Sequence, residues 1–244
     1  GDLMRDWIGD RVGVPLQTVR GYHVPAWAGK GTLVFCASYS GNTEETLACY
    51  EEARERDCGV VAVTSGGKLA LRAQEDGGPL FTIPTLTNMP PRLATAFLLF
   101  PMAMICHRLS LVEINGEIHE AVSLLKDLSD ATVPERPLAD NSAKIYAKAI
   151  HGAIPVIYGT PGMTSLARRW AAQLNENSKV LARWDEFPEM NHNEIVAVAS
   201  DERAGDFCAI ILRDTEEHPR IRARIEYTRA LMEERMASVV EVWP

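Results

Sequence analysis

A loop rich in hydroxyl groups follows the first strongly apolar segment of the chain, residues 33–36. Its side-chain donors, which lie around Gly41 and Asn42, are Ser38, Ser40, Thr43 and Thr46. If a helix begins after this loop, its free backbone N–H groups and its dipole face the loop, as in anion sites at helix N-termini. Hydroxyl groups add donors without adding charge. We therefore interpret the loop as a phosphomonoester pocket, although an ordinary capped turn explains the same residues about equally well.

The residues on either side of this loop predict the elements that position it. The apolar segment before it has the continuous hydrophobic character of a strand buried in a parallel sheet. Asn42 is expected to cap the following helix, and Glu45 completes a capping box three residues later. In that helix Leu47, Tyr50 and Ala53 fall on one face, which predicts packing against the sheet.

The composition is that of a globular protein and argues against nucleic acid or membrane partners. The 244 residues are 46% hydrophobic, and no apolar run reaches the roughly 20 residues that span a bilayer. The formal net charge is −8, whereas a phosphate backbone requires a basic surface. The five cysteines form no CxxC pair, which fits reduced thiols in a cytoplasmic protein.

Strand and helix patterns alternate through the first half of the chain, which predicts an α/β fold with a doubly wound parallel sheet. The predicted strands are 16–19, 33–36, 59–64 and 80–83, and the predicted helices are 2–12, the helix after Asn42, 69–76 and 92–109. In such sheets ligands bind at the carboxyl ends of the strands. The loops 38–43, 65–67 and 84–91 all fall at that edge.

The second half of the chain repeats this organisation after a polar connection. Residues 113–140 are charged and contain Pro134 and Pro137, so we expect a helix at 118–128 and then a linker. An apolar run at 154–159, a hydroxyl-glycine loop at 160–165 and a helix from Leu166 follow. Further predicted elements are helices at 143–152 and 219–236 and strands at 206–212 and 238–243. The repetition indicates two copies of one fold, an N-terminal domain at 1–112 and a C-terminal domain at 141–244.

Four stretches of the sequence resemble one family of sugar isomerases. SYSGNTEET at 38–46 and TSGGKL at 64–69 resemble the phosphosugar-binding loops of the sugar isomerase (SIS) domain. PPRLATAFLLFP at 90–101 and QLNENSKVLARWDEFPEMNHNEIVA at 173–197 are similar to the bifunctional phosphoglucose/phosphomannose isomerase family. The resemblance covers nearly the whole chain in the same order, and NEN…FPEMNHNE is its specific part. It implies two tandem SIS domains, each a flavodoxin-like, doubly wound parallel sheet.

The resemblance also implies a reaction, the interconversion of glucose 6-phosphate, and of mannose 6-phosphate, with fructose 6-phosphate through a cis-enediol. By position in the motif, Glu176 is the base that carries the C2 proton to C1. His192 opens the sugar ring, and Arg92 faces the enediolate or the phosphate. Glu189 and Glu194 are alternative bases. The alternative explanation for each of these side chains is that it is a solvated residue or a residue at a helix end, with no part in a reaction.

The resemblance further implies how the substrate and a second subunit bind. The implied phosphate-binding residues are Ser38, Ser40, Gly41, Asn42, Thr43, Thr46 and Ser65. In related isomerases the histidine comes from a second subunit, which implies a homodimer with a shared active site for a hexose 6-phosphate. No cofactor or metal is implied, and no metal-ligand spacing is present at His23, His107, His119, His151 or His218.

The chain also departs from the family pattern at both ends. Family members carry a glycine-serine-rich loop before the segment that begins at Gly1, and C-terminal helices with a lysine after the segment that ends at Pro244. We therefore expect the C-terminal domain to be truncated. SIS domains also occur as non-catalytic sugar-phosphate sensors, and other phosphosugar isomerases exist. Glu176 and His192 discriminate between these functions, because a sensor needs the phosphate loop but no base.

Overall fold

The computed structural model describes residues 1–87 and 89–244. The chain divides into two compact units, Gly1–Ile118 and His119–Pro244, and each unit contains one parallel sheet. Asn88, inside the loop predicted at 84–91, lies outside the described residues. No helix in the described part of the chain has the length and apolar character needed to cross a membrane.

The first unit alternates strands and helices around a three-stranded sheet. Its elements are α1 (Asp2–Ile8), β1 (Leu33–Ser38), α2 (Glu44–Glu55), β2 (Gly59–Thr64), α3 (Gly67–Glu75), β3 (Leu80–Thr82) and α4 (Thr95–Arg108). A further helix, α5 (Asn115–Ala131), begins in this unit. The strands lie in the order β1-β2-β3, and their pairing is parallel, with Ser38 opposite Thr64. The loops that follow β1 and β2 therefore leave the sheet side by side.

Apolar side chains on both faces of β2 build the core of the first unit. Val60 and Ala62 pack with buried residues of α2 and α3 on one face, whereas Val61 and Val63 pack with α4 on the other. This continuous run of buried residues is the sequence signature of a parallel strand that is covered on both sides. The sheet is thus a fixed platform for the loops at its carboxyl edge.

The second unit contains a four-stranded parallel sheet. Its elements are α6 (Ser142–Ile150), β4 (Ile154–Gly159), α7 (Thr164–Gln173), β5 (Arg183–Glu186), α8 (Glu194–Ser200), β6 (Phe207–Leu212), α9 (Pro219–Arg235) and β7 (Ser238–Val242). The strand order is β5-β4-β6-β7, so the chain moves outward in both directions from β4 and β6, as in a doubly wound sheet. Buried residues of β4 and β6 pack alternately into two clusters, one on each face.

Most of the predicted elements are confirmed. The strands at 59–64 and 154–159 have the predicted bounds, and the helices predicted at 118–128, 143–152 and 219–236 correspond to α5, α6 and α9. Leu47, Tyr50 and Ala53 are buried on one face of α2, as predicted. The α/β class with parallel sheets is confirmed. The exact domain boundaries and the count of two SIS domains stay predictions.

Three local predictions are wrong, and two short elements were not predicted. Residues 16–19 form no strand, although Leu16 packs against the core beside α4. The helix predicted at 92–109 is divided into a 3₁₀ turn, Pro91–Leu93, and α4. The helix after the hydroxyl-rich loop begins one residue later than predicted, so Asn42 is not its cap. In addition, β5 and α8 were not predicted, because β5 has only four mostly polar residues and α8 has only seven residues, too few to show a helical period.

Candidate active site

Hydrogen bonds between hydroxyl groups hold the loop that joins β1 to α2. Ser38, the last residue of β1, is buried, and its Oγ lies 2.8 Å from Oγ1 of Thr43. The backbone N–H of Gly41 donates to the same Oγ over 3.1 Å. Ser38 therefore closes the loop from inside, and it brings Thr43 to the start of α2.

The start of α2 keeps its backbone donors available. Thr43 is the N-cap residue, but its side chain makes no capping hydrogen bond because its hydroxyl group pairs with Ser38. The first intrahelical bond runs from the N–H of Leu47 to the carbonyl of Thr43. No side-chain cap within the described residues covers the N–H groups before Leu47. An uncapped helix start with nearby hydroxyl groups can bind an anion.

The loop after β2 is interlocked with the loop after β1. The Oδ1 atom of Asn42 accepts the backbone N–H of Lys68 over 3.1 Å. Ser65 donates its hydroxyl hydrogen to the carbonyl of Tyr39 over 2.6 Å, and the N–H of Leu69 donates to the carbonyl of Gly41. The side chains of Asn42 and Ser65 are thus engaged in holding the two loops together.

Two glycines make this close approach possible. Gly41 has φ +67°, and a Cβ atom there would lie 1.8 Å from the carbonyl oxygen of Gly66. Gly67 has φ +70°, and its Cβ would lie 2.3 Å from the carbonyl oxygen of Ser40. Both positions combine a left-handed backbone with backbone contact, which only glycine accommodates.

A cavity borders the start of α2 within the first unit. Its volume is about 1120 Å³, and Thr43 and Thr46 contribute to a lining that also includes apolar residues of β1 and α4. Arg92 lies in the same unit, half-buried in the 3₁₀ turn before α4, where its carbonyl accepts the hydroxyl group of Thr95 over 3.4 Å. The sequence predicted Arg92 in the first turn of a helix at 92–109, but it lies in the 3₁₀ turn that precedes α4.

Glu176 occupies an exposed turn that extends α7 in the second unit. The turn, Leu174–Ser178, is a single π-helical turn, and it ends at Lys179 with φ +58°. Asn175 fixes it, because its Oδ1 accepts the N–H of Ala182 over 2.8 Å and its Nδ2 donates to the carbonyl of the same residue. π-Helical turns occur frequently at functional sites. The flanking asparagine therefore has a structural role, which leaves the neighbouring carboxylate at the surface.

His192 is exposed on the turn between β5 and α8. Its backbone N–H donates to the carbonyl of Glu189 over 2.9 Å, and the preceding Met190 is fully buried. Asn191 donates from Nδ2 to the hydroxyl group of Thr228 in α9 over 2.7 Å. The imidazole is thus presented to solvent by a backbone that is anchored to the core.

The structure shows a buried carboxyl group that the sequence did not place in the core. Glu194, the first residue of α8, accepts a hydrogen bond from the fully buried Tyr158 hydroxyl over 3.2 Å. Burial raises the pKa of Glu194, and the neighbouring Asp185 adds to this shift, whereas Arg183 opposes it. Tyr158 and Asp185 were not singled out from the sequence, because only the pairing of β4 with β5 brings them together.

The predicted site residues therefore form one assembled cluster and three separate positions, Arg92, Glu176 and His192. Hydrogen bonds within the two loops of the first unit engage six of the predicted phosphate-binding residues: Ser38, Ser40, Gly41, Asn42, Thr43 and Ser65. The same unit contains Thr46, which lines the cavity, and Arg92. Glu176 and His192 both lie in the second unit. Among residues 1–87 and 89–244, no group of three or more His, Cys, Asp or Glu side chains could hold a metal ion. The five cysteines are free and buried, and burial raises the pKa of Cys36 to about 12.

Comparison with known proteins gives consistent similarities. Residues 139–244 match the family of bacterial phospho-glucose isomerase C-terminal SIS domains. The whole chain is 37% identical to the bifunctional phosphoglucose/phosphomannose isomerase of Caldicellulosiruptor bescii and spans 72% of it. The corresponding Aquifex aeolicus protein is 34% identical over 96% of this chain and 69% of its own length.

Solved structures show the same fold at lower sequence identity. The C-terminal domain of glucosamine-fructose-6-phosphate aminotransferase from Francisella tularensis superposes on the whole chain with a TM-score of 0.69 and 14% identity, and the match covers 68% of that domain. This likeness concerns the fold alone. The identity and coverage of the sequence relatives establish the finer grouping: the chain belongs to the bifunctional phosphoglucose/phosphomannose isomerase family.

Proposed function

We propose that this chain is an aldose–ketose isomerase that interconverts glucose 6-phosphate and mannose 6-phosphate with fructose 6-phosphate through a cis-enediol. The uncapped start of α2 carries this proposal, since it offers N–H groups beside neutral hydroxyl groups in a chain of this family. Glucose and mannose 6-phosphates differ only at C2. Both therefore lose their C2 configuration in the same enediol, and one site can serve both.

The phosphate group binds at the start of α2. The first-turn N–H groups and the hydroxyl groups of Ser40, Thr43 and Thr46 supply the donors, because they lie around the uncapped helix end. Ser38, Gly41, Asn42 and Ser65 contribute by holding the loop in shape, since their polar groups are engaged within it. The donors are therefore neutral, whereas the first turn of α2 also carries two acidic side chains, Glu44 and Glu45.

Glu176 moves the proton, and His192 opens the ring. An exposed carboxylate on a rigid turn can take the C2 proton and return it to C1 without a metal or another cofactor. The imidazole of His192 can donate a proton to the ring oxygen and accept it again. Arg92 faces the enediolate or the phosphate, where a fixed cation offsets negative charge as it develops.

The assembly is a homodimer in which His192 acts on the substrate held by the partner subunit. The exposure of His192 on an anchored turn supports this arrangement, because a side chain held firmly at the surface can reach into a neighbouring subunit. We further propose a cytoplasmic location, since all five cysteines are free, buried thiols.

The test separates binding from turnover with a matched pair of variants. Glu176→Gln should bind fructose 6-phosphate as the parent chain does, but it should lose exchange of the C2 proton with solvent by about 10³-fold. Glu189→Gln, an exposed glutamate in the same motif, should leave exchange within twofold. Proton exchange is followed by NMR in D₂O with a chelator present, and affinity is followed by calorimetry.

The outcomes identify the failing part of the proposal. Unchanged exchange in Glu176→Gln would refute the base assignment. Binding without any exchange or turnover in the parent chain, with either substrate, would instead identify a sugar-phosphate sensor.

A further inference from the structure

A pair of acidic side chains lies between the end of β5 and the start of α8. Glu194 is the first residue of α8, two positions after His192, and only 14% of its side chain is exposed. Tyr158, at the end of β4, donates to its Oε1 and is opposite Asp185 in the strand register. The pair therefore joins the helix start to both neighbouring strands.

One oxygen of Glu194 has no donor. Within the described residues, no hydrogen bond reaches Oε2, although this atom is buried. The groups that face Glu194 are Tyr158 from β4 and Arg183 and Asp185 from β5, and Arg183 approaches Oε1 at 3.7 Å. From α9, Arg235 reaches the far end of α8, at the carbonyl of Val198. A carboxylate at this position would leave a buried acceptor unpaired next to a second negative charge.

We propose that Glu194 is a positioning residue that holds a proton between its Oε2 atom and Asp185, and thereby fixes the turn that presents His192. The proton turns Oε2 into a donor, so the two carboxyl groups attract each other. The turn is then anchored on both sides of His192, by Asn191 to Thr228 and by Glu194 to Tyr158. This inference rests on the proposed role of His192.

The same geometry separates Glu194 from the alternative role of base. A base must reach the sugar carbon, but the carboxyl group of Glu194 points into the core, where it is bonded to a fully buried tyrosine. Glu176 is exposed on its turn. Glu194 therefore acts through the position of His192 and not on the substrate.

The direction of the pH effect follows from the charge that Glu194 gains when it loses its proton. Burial and Asp185 raise the pKa of Glu194, so the proton is held at low pH and is lost as the pH rises through the raised value. Above that point two adjacent carboxylates repel each other, and the start of α8 loosens. Activity should therefore decline on the alkaline side as Glu194 loses its proton.

Three variants test this mechanism. Glu194→Gln keeps a donor toward Asp185 but cannot titrate, so kcat at neutral pH should be retained and the alkaline decline abolished. Glu194→Leu removes the donor and the acceptor, so kcat should fall about a hundredfold, as for a misplaced catalytic group. Its KM should change less than threefold, because the phosphate loop lies elsewhere. The matched control, Glu202→Gln, changes an exposed glutamate after α8 and should keep the parent pH profile.

A measurement independent of turnover completes the test. Amide hydrogen exchange at residues 191–195 should quicken with rising pH beyond the intrinsic rate in the parent chain and in Glu202→Gln, but not in Glu194→Gln. An unchanged alkaline limb in Glu194→Gln, together with parent-like exchange protection in Glu194→Leu, would overturn the proposal. If His192→Ala keeps full activity, the proposed role of His192 fails, whereas the exchange result still reports on the anchoring of the turn.

Discussion

The carboxyl edges of the two sheets carry different polar groups. In the first unit, β1 and β2 end at Ser38 and Thr64, which are buried, uncharged and opposite each other in the sheet. In the second unit the corresponding edge is charged. Its ionisable groups include Asp185, Glu186, Glu194, Arg213, Glu217 and Glu241, and several of them are paired with one another.

This difference shows how the same strand–loop–helix arrangement can either bind an anion or hold side chains in place. A helix start has partial positive charge. In the first unit the side chains that hold the loop before α2 are neutral hydroxyl and amide groups, and the carboxylates of Glu44 and Glu45 lie in the first turn of the helix itself. In the second unit, the carboxylate of Glu186 accepts the hydroxyl group of Thr164 at the start of α7. At the first edge the start of α2 stays available for an incoming anion. At the second edge the charged side chains pair with neighbouring groups and hold one another in place.

The largest expected effect tests whether the charged edge is structural. Arg213 and Glu217 are joined by two hydrogen bonds of 2.7 Å, and both side chains are almost fully buried. Glu217→Gln should lower the free energy of unfolding by about 3–5 kcal/mol, because it leaves a buried guanidinium partly unpaired. Urea unfolding followed by circular dichroism measures the loss. The exposed neighbour Glu216→Gln is the control and should change stability by less than about 0.5 kcal/mol.

The same pair predicts how stability depends on pH. Burial alone would raise the pKa of Glu217, but hydrogen bonds from Arg213 and from the N–H of Asp214 outweigh it, and the pKa is lowered. The resulting stabilisation is complete above the ordinary glutamate pKa of about 4.3 and is lost as the pH falls through the lower folded value. In Glu217→Gln this acid-dependent part should disappear. Parallel acid titrations of parent and variant would contradict the assignment.

The second prediction compares the loop glycines of the two units. Gly41→Ala places a methyl group against the Gly66 carbonyl and also strains a left-handed backbone. We therefore expect the free energy of unfolding to fall by about 3 kcal/mol and sugar-phosphate binding to be lost. Gly162→Ala, in the loop before α7, has φ +86° but meets no atom within 4 Å. Gly162→Ala should lower the free energy of unfolding only by the backbone strain, about 1–2 kcal/mol. Equal costs would show that the two loops after β1 and β2 do not need their close approach.

The sequence was sufficient to predict elements that are specified locally. The apolar runs of β1, β2 and β4 identify strands buried on both faces, and the glycine-containing loops after them mark the carboxyl edge. β5 was missed because Arg183–Glu186 is polar and exposed at its start, so pairing with β4 defines it and not its own periodicity. The polar residues of this strand become informative only after the sheet is assembled.

The site residues show the same limit. Asn42 has the local pattern of a helix cap, but its carboxamide accepts an N–H from Lys68, a contact that spans 26 residues. Glu194 was only an alternative base in the sequence, and its burial depends on Tyr158, which is 36 residues away. Motif resemblance identified the residues, but tertiary contacts determine which of them face a ligand and which hold the loop.

The third prediction concerns the hydroxyl groups at the two helix starts. Thr43→Val keeps the side-chain shape but removes the partner of Ser38 and a donor toward the phosphate, so the Kd for fructose 6-phosphate should rise about tenfold. Thr164→Val removes the corresponding hydroxyl group from α7, where Glu186 is its acceptor. Its Kd should stay within twofold of the parent value. Calorimetry with both variants decides whether only the first helix start binds the substrate.

The smallest expected effect distinguishes a carboxylate that only stabilises a helix start from one that also repels the bound phosphate. Glu186→Gln and Glu44→Gln each remove one negative charge near a helix start, α7 and α2 respectively. Each should lower the free energy of unfolding by about 0.3–1 kcal/mol, because a carboxylate there offsets the dipole. Only Glu44→Gln should tighten fructose 6-phosphate binding, by about twofold, since it removes a charge that repels the phosphate. Tighter binding in Glu186→Gln would contradict the distinction between the edges, because it would mean that the charged edge also receives the anion.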